Sequence, residues 1–550
     1  MKKEKRVWIG FSLGLLILGG VLFWSNGARS GDIYETIENH IFLIGKVYNE
    51  VIQKYVDKVD SEEIVESAIN GMLSTLDPYT NYIKQEDKAQ LEILTEGKYQ
   101  GVGLILNYRN NMVIVAEPPF MGTPAARAGI REGDVIVKVN NMETKDLGFE
   151  KTVQNIRGPA GTEVVLTIQR EGEPKPLEFR LIREQIKIED VQYAGIVDDG
   201  IGYILLTRFS KNAGQEVKNA IRRLQSQKPL KGLILDLRSN PGGMLESAVE
   251  VTELFLPKNS LIVSTRGRLK ETVQEFRSQN PPVYGEGPLV ILVNGISASA
   301  SEIVAGAIQD HDRGIIVGDT TFGKGLVQTV VPLSSNSALK ITTAKYYTPS
   351  GRCIQRKNYS KWEDSTAIHS ENRFRTDQGR SVSEGGGIIP DWVVRPPEAN
   401  DYYWDLRRKS MFFNFAVFYA NTHAALDSNF EITETILSDF QNYLKEKSYE
   451  YQHPLEKGLE GLKNEAIQNG YGTELLKDID KLQKSIQRAK QDMFYHCLND
   501  IKRTLRLELA SKFFGTRKQI ELALKDDVVF QKALELLRDP NLYKTVLNRK

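Results

Sequence analysis

The densest chemistry in this chain lies between Asn294 and Gln328, NGISASASEIVAGAIQDHDRGIIVGDTTFGKGLVQ. An apolar run ends at Asn294, a turn of small residues follows, and the pattern predicts a helix starting near Ser299. Ser299 with Glu302 three residues later is a capping-box pattern, and most serines so placed do no more than cap. A hydroxyl at a helix start is also well placed to attack a carbonyl. The Ala300 N–H and the helix dipole beside it can stabilise the oxyanion that forms.

Such a serine needs a base. His311 is the nearest histidine in sequence, but it falls at the far end of the same short helix, about 18 Å away. Lys324 is better placed, between Gly323 and Gly325, where the backbone can approach closely. A lysine acts as base when burial lowers its pKa toward neutrality. Gln328 follows at an even spacing on a predicted strand, so its amide can share a face with Lys324 and hold the amine. Gly318-x-x-x-x-Gly323-Lys324 also meets most of a phosphate-loop pattern. Gly325, however, stands where that motif needs Ser or Thr on magnesium. A second glycine turn, Asp236 to Gly243 (DLRSNPGG), closes another apolar run and can supply a further oxyanion amide.

The elements that must position these residues are legible as short Val/Ile/Leu runs at 201–206, 232–237, 289–294 and 314–319. They read as strands buried on both faces, alternating with helices, in an α/β layer. Residues 33–75 show helical periodicity, with a second helix around Ile64 to Leu76 ended by Asp77-Pro78. Beyond about 400 the pattern is helical throughout, without a sustained heptad register.

Between 98 and 186 the pattern changes to short strands punctuated by glycine. Tyr99, Gly101, Val102, Gly103 and Leu104 form a glycine-bearing loop entering a strand, whose amides can nest a carboxylate. PAARAGIREGDVIVKVNNM (124–142) and an amphipathic helix from about 147 to 156, followed by Arg157, complete a segment that resembles a PDZ domain. Such a module takes an extended tail as an added strand, caps its carboxylate and pockets its last apolar side chain.

Together these motifs make the chain similar to the C-terminal processing (tail-specific) proteases of peptidase family S41, over about 35–398. The motifs that agree are LDPYTNYI (76–83), DLRSNPGG (236–243), SASASEI (297–303), TFGKGLVQ (321–328) and YYTPSGR (346–352). The resemblance implies a multidomain α/β protein with a crotonase-like (ClpP/crotonase-type) protease core and an inserted PDZ domain. It makes Ser299 the nucleophile, Lys324 the general base and Gln328 its orienter, with oxyanion amides from Gly243 and Ala300. It implies no cofactor and no metal, and protein substrates with apolar C-terminal tails. Asp310 matches an acidic family position and is read as structural. Arg157 is the candidate for coupling tail binding to cleavage. A non-catalytic PDZ adaptor is the competing reading, opposed by the presence of every one of these residues.

The expected organisation is 1–26 signal anchor, 30–97 helical region, 98–186 PDZ domain, 187–398 protease core and 399–550 helical extension. With 550 residues the chain is too long for one core. Its 72 Lys+Arg nearly cancel its 71 Asp+Glu, so no global field draws it to nucleic acid. Lys2, Lys3, Lys5 and Arg6 precede an uncharged apolar run from Val7 to Trp24, about 27 Å as a helix, enough to enter a bilayer. The basic flank is expected inside and the body outside the cytoplasm, on the periplasmic side. An uncleaved anchor is favoured over a cleaved signal peptide, because SNGARSGD lacks a clean A-x-A site. Cys353 and Cys497 are expected to be unpaired, and homo-oligomerisation is left open.

Overall fold

The computed structural model describes residues 34–84, 93, 95–109, 111–171, 173–334, 337–356, 374–397 and 400–548. The apolar stretch 7–24 lies outside them. Among the described residues no helix is long and apolar enough to cross a membrane. The chain divides into two compact units, one ending at Tyr82 and one running from Ile83.

The first unit holds a helix over 34–54 and α1 (Ser61–Leu73). α1 starts earlier than its apolar spacing predicts because Asp60 caps it, accepting from the Glu62 and Glu63 N–H groups. Asp77 then turns the chain by accepting from the Tyr79 and Thr80 N–H groups at 2.8 and 2.9 Å.

The second unit begins with β1 (Lys98–Gly101), β2 (Leu106–Arg109), β3 (Met112–Val115), β4 (Val135–Val139), α2 (Thr144–Ile156), β5 (Glu163–Gln169), β6 (Leu177–Ile182) and β7 (Glu184–Lys187). Strands β2 to β6 pair in that order, all antiparallel, and β1 pairs with β7. Strict alternation along β5 puts Val164, Leu166 and Ile168 into a core shared with Val113, Val115, Ile136, Val139 and Ile156 of α2. Gly148, at φ 74°, breaks α2, so the helix expected from 147 is its second segment, with a short turn added upstream.

The α/β core follows as β8 (Val191–Asp198), β9 (Ile201–Leu206), α3 (Ala213–Gln227), β10 (Gly232–Asp236), α4 (Leu245–Glu253), β11 (Leu261–Gly267), β12 (Gln274–Arg277), β13 (Leu289–Val293), α5 (Ala300–Asp310), β14 (Ile315–Gly318), β15 (Leu326–Pro332), β16 (Ser337–Tyr347) and β17 (Trp392–Val393). The central sheet runs β8-β9-β10-β13-β14-β17, parallel from β9 onward. A second, antiparallel group runs β12-β11-β16-β15.

Because side chains alternate along each central strand, the sheet has two apolar faces to cover. Leu233, Leu235, Leu289, Ile291 and Val293 pack with α3, α4 and α5. Ile234, Val290, Leu292, Ile315 and Val317 face the other way, each such buried side chain worth about 1.5–3 kcal/mol. Their cover comes from the end of the chain, where α6 (Asp401–Arg408), α7 (Met411–Thr422), α8 (Glu434–Glu446), α9 (Pro454–Gln468), α10 (Thr473–His496), α11 (Leu498–Lys525), α12 (Val528–Arg538) and α13 (Pro540–Leu547) follow. Val529, Phe530, Ala533, Leu534, Leu537, Tyr543 and Val546 of α12 and α13 lie on that second face. α6, α7, α8, α10 and α11 build a separate aromatic core around Phe412, Phe415 and Phe440. Neither Cys353 nor Cys497 is in a disulfide.

Candidate active site

Strands β10, β13 and β14 are adjacent and parallel, so the three loops that leave their C-terminal ends meet at one edge of the sheet. These loops are the 237–244 turn, the 294–299 turn and the 319–325 loop.

Ser299 sits on the N-terminus of α5 at φ 54°, ψ −111°, a backbone that non-glycine residues adopt only under restraint. The restraint is visible on both sides. Tyr346 donates its hydroxyl to the Ser299 carbonyl at 3.1 Å, and the Ser299 N–H donates to Glu302 Oε2 at 2.8 Å.

The glycine turn is stitched to this serine turn. Asn240 O accepts from the Ala298 N–H at 3.1 Å and from the Ser301 hydroxyl at 3.0 Å. Ser297 Oγ donates to the Leu237 carbonyl at 2.8 Å. Gly242, at φ +101°, lies so close that a Cβ there would stand 2.7 Å from the Ala298 oxygen and 3.0 Å from the Ala300 nitrogen. A Cβ on Gly243 would collide with the Phe209 carbonyl. Among the described residues neither the Gly243 nor the Ala300 N–H has an acceptor. Two donors left open beside a serine are what an oxyanion requires.

Lys324 is half-buried in the third loop. Glu302, fully buried, ties that loop to the serine turn. Its Oε2 accepts from the Lys324 N–H at 2.9 Å as well as from Ser299. Its Oε1 accepts from the Gly323 N–H at 2.7 Å and the Thr321 hydroxyl at 2.5 Å. One oxygen thus receives the main chain of both Ser299 and Lys324. Burial pushes the Glu302 pKa up to about 7, against the pull of the Thr321 hydroxyl and the three N–H groups. Sequence spacing flagged Glu302 as a cap; its bonds to residues 321–324 leave no local signal.

Gln328 lies on β15, with its Nε2 3.3 Å from Thr342 Oγ1. His311 caps the far end of α5 and is held by Asp377 and the Leu261 carbonyl, each at 2.7 Å, away from Ser299. Asp310 is taken up by Arg352 at 2.7 Å and by the Ser350 N–H at 3.0 Å. That arrangement fixes the YYTPSGR segment against α5.

In the PDZ segment Tyr99 sits in β1, which pairs with β7, with its ring packed over Gly101, and the Arg157 guanidinium stands 5.5 Å from the ring centroid. Burial pushes the Tyr99 phenol up to about 12, with the Arg157 charge working against it. Val102 is buried in the PDZ core. Gly103, at φ +88°, turns the chain against Thr123, and Leu104 leads into β2. Arg157 therefore borders the glycine loop.

A serine on a restrained helix start, a lysine loop tied to it and two open amides form a site that can carry acyl transfer, and a peptide-binding module accompanies it. Residues 200–361 match the model "Peptidase family S41" and 121–170 match "PDZ domain". Residues 28–87 match "Activating protease CtpB N-terminal domain" and 404–537 match "Probable PDZ-protease, C-terminal helical domain". The carboxy-terminal-processing protease of Bartonella bacilliformis is 44% identical over 397 residues, covering 72% of this chain and 84% of that protein. The carboxy-terminal processing protease CtpB of Bacillus subtilis is 36% identical over 337 residues, covering 60% and 68%. A solved photosystem II D1 C-terminal processing protease is 29% identical with a TM-score of 0.35, covering 64% of this chain and 86% of that one. The chain belongs to the carboxy-terminal processing proteases, serine peptidases of family S41.

Proposed function

We propose that this chain is a serine endopeptidase working through a Ser299–Lys324 dyad, and that its PDZ module selects protein substrates by apolar C-terminal tails. The observation that carries this reading is the single Glu302 oxygen that receives the main chain of both residues. Ser299 Oγ attacks the scissile carbonyl while Lys324, as the neutral amine, takes its proton. The tetrahedral oxyanion is received by the Gly243 and Ala300 N–H groups. Lys324 returns the proton to the leaving amine, and water then releases the acyl group by the same path. Gln328 orients the amine. Docking of the tail on residues 99–104 supplies remote binding energy for orientation, and Arg157 couples that docking to cleavage.

The α/β core is read as crotonase-like, and residues 7–24 as a membrane tether with the body on the periplasmic side. Exported proteins are then its substrates. The basic residues before the apolar run support this orientation.

The test compares wild type, Ser299→Ala and Lys324→Ala on an unfolded substrate with an apolar, free-carboxyl C-terminus. Both variants are expected to lose about 10³-fold or more in kcat with tail affinity retained. Equal turnover by all three removes the reading. Arg157→Ala is expected to keep basal cleavage and lose its stimulation by tail peptide.

A further inference from the structure

The helical extension reaches the root of the glycine turn. Asp527 caps α12, its Oδ1 accepting from the Val529 and Phe530 N–H groups at 3.0 and 3.1 Å. Its other oxygen stands 2.6 Å from Nη1 of Arg238, which leads from β10 into the turn bearing Gly242 and Gly243. The same guanidinium grips Asp236, with Nη2 at 2.6 Å and Nε at 3.0 Å. Tyr203 donates to that Asp236 carboxylate at 2.7 Å, and Phe530 of α12 meets the Tyr203 ring edge-on, 5.5 Å between centroids. α12 therefore contributes a charge and a ring to one cluster at the end of β10.

We propose that Asp527 is a positioning residue for the reaction, holding the Gly242–Gly243 turn in register with Ser299 through Arg238. Two short paths lead from Arg238 to the serine turn. The next residue, Ser239, has φ 58° and donates its N–H to Asn294 Oδ1 at 2.9 Å. That oxygen also accepts from the Ile296 and Ser297 N–H groups at 3.1 and 3.2 Å. One residue further, Asn240 holds Ala298 and Ser301 through its carbonyl and the Gly242 N–H through its side chain at 2.9 Å. A shift of the guanidinium is thus passed to both turns, and with them to both open amides. Asp236 alone pulls Arg238 back toward β10; Asp527 opposes it from the far side.

The inference rests on the proposed Ser299–Lys324 reading, and its test uses the full chain. Asn and Ser are both good N-caps, so Asp527→Asn and Asp527→Ser keep the start of α12 while removing the charge that faces Arg238. Both variants are expected to lose about tenfold in kcat, with KM for the tail substrate within about twofold and the melting temperature unchanged. Wild-type kcat in both variants overturns the inference. So does a loss that falls on KM, or one that follows a lowered melting temperature. Ser299→Ala is assayed alongside. If it keeps wild-type turnover, the active-site reading fails and takes this inference with it. If activity depends on Ser299 but not on Asp527, only the inference falls.

Discussion

At the scale of single residues, Glu302 decides how the site holds together. Four donors from two loops converge on one buried carboxylate, and no other group type can accept them all. Glu302→Gln keeps the shape but turns an NH₂ toward two of those donors. The expected result is a kcat lower by about 10- to 100-fold with KM for the tail nearly unchanged, the loss of one to two strong bonds. The acid also leaves a mark on stability. Its folded pKa, about 7, lies above the ordinary 4.5, so the folded state keeps the proton longer than the unfolded chain does. The stability this contributes is fully present below pH 4.5 and is lost as pH rises through 7, on the order of 3 kcal/mol over that window. Urea unfolding measured from pH 4 to 8 should show that decline in wild type and a flatter profile in Glu302→Gln. Matching profiles would mean that Glu302 does not titrate in the fold. The ionised form that organises the loops is thus the form the interior least favours.

At the scale of elements, the site is three loops leaving adjacent parallel strands, and the contact between two of them is made by the absence of a side chain. Gly242→Ala places a methyl 2.7 Å from the Ala298 oxygen at a φ of +101°. It should cost about 1–3 kcal/mol and separate the open amides, read as a lower melting temperature together with reduced kcat. A variant as stable and active as wild type would show that the turns are not in tight contact. These elements were largely legible beforehand. The runs at 201–206, 232–237, 289–294 and 314–319 are apolar on both faces because the strands are buried on both faces, and each became a neighbour of the next. Ser299, Lys324 and the glycine turn lie where those runs end. Less legible was α2, where Gly148 breaks a helix that its apolar spacing reads as starting later. The setting of Gln328 was hidden too, because the register of β15 on β16 is shifted by a bulge that no spacing on β15 encodes.

At the scale of the whole chain, the residues after 400 showed only amphipathic helices, and amphipathicity says that a face is buried without saying against what. Within the second unit the answer is twofold. α12 and α13 close the back of the central sheet, while α7 and α11 grip the PDZ sheet. A Cβ on Gly133 would lie 2.5 Å from Val417 Cγ2, so α7 packs directly on the turn before β4. Beside it Lys512 of α11 pairs with Glu132, both nearly fully buried, and its amine stands 4.2 Å from the Phe413 ring centroid. Burial raises the pKa of Glu132 against the pull of Lys512, with Glu508 and Glu117 adding to the rise. Removing one partner of such a pair leaves the other charge uncompensated. Lys512→Met should therefore destabilise the chain by about 3 kcal/mol near pH 7.5. Because Glu132 then holds its proton to still higher pH, its contribution is kept below pH 4.5 and lost progressively above it. The gap between variant and wild type should narrow as the solution is acidified toward pH 4. Hydrogen exchange at pH 7.5 should quicken across 98–186 in the variant while the strands at 232–236 and 289–293 keep their protection. Uniform quickening would mean that the pair supports the fold as a whole; quickening confined to the PDZ strands would show that the helical extension sets how firmly the PDZ module is held to the protease core.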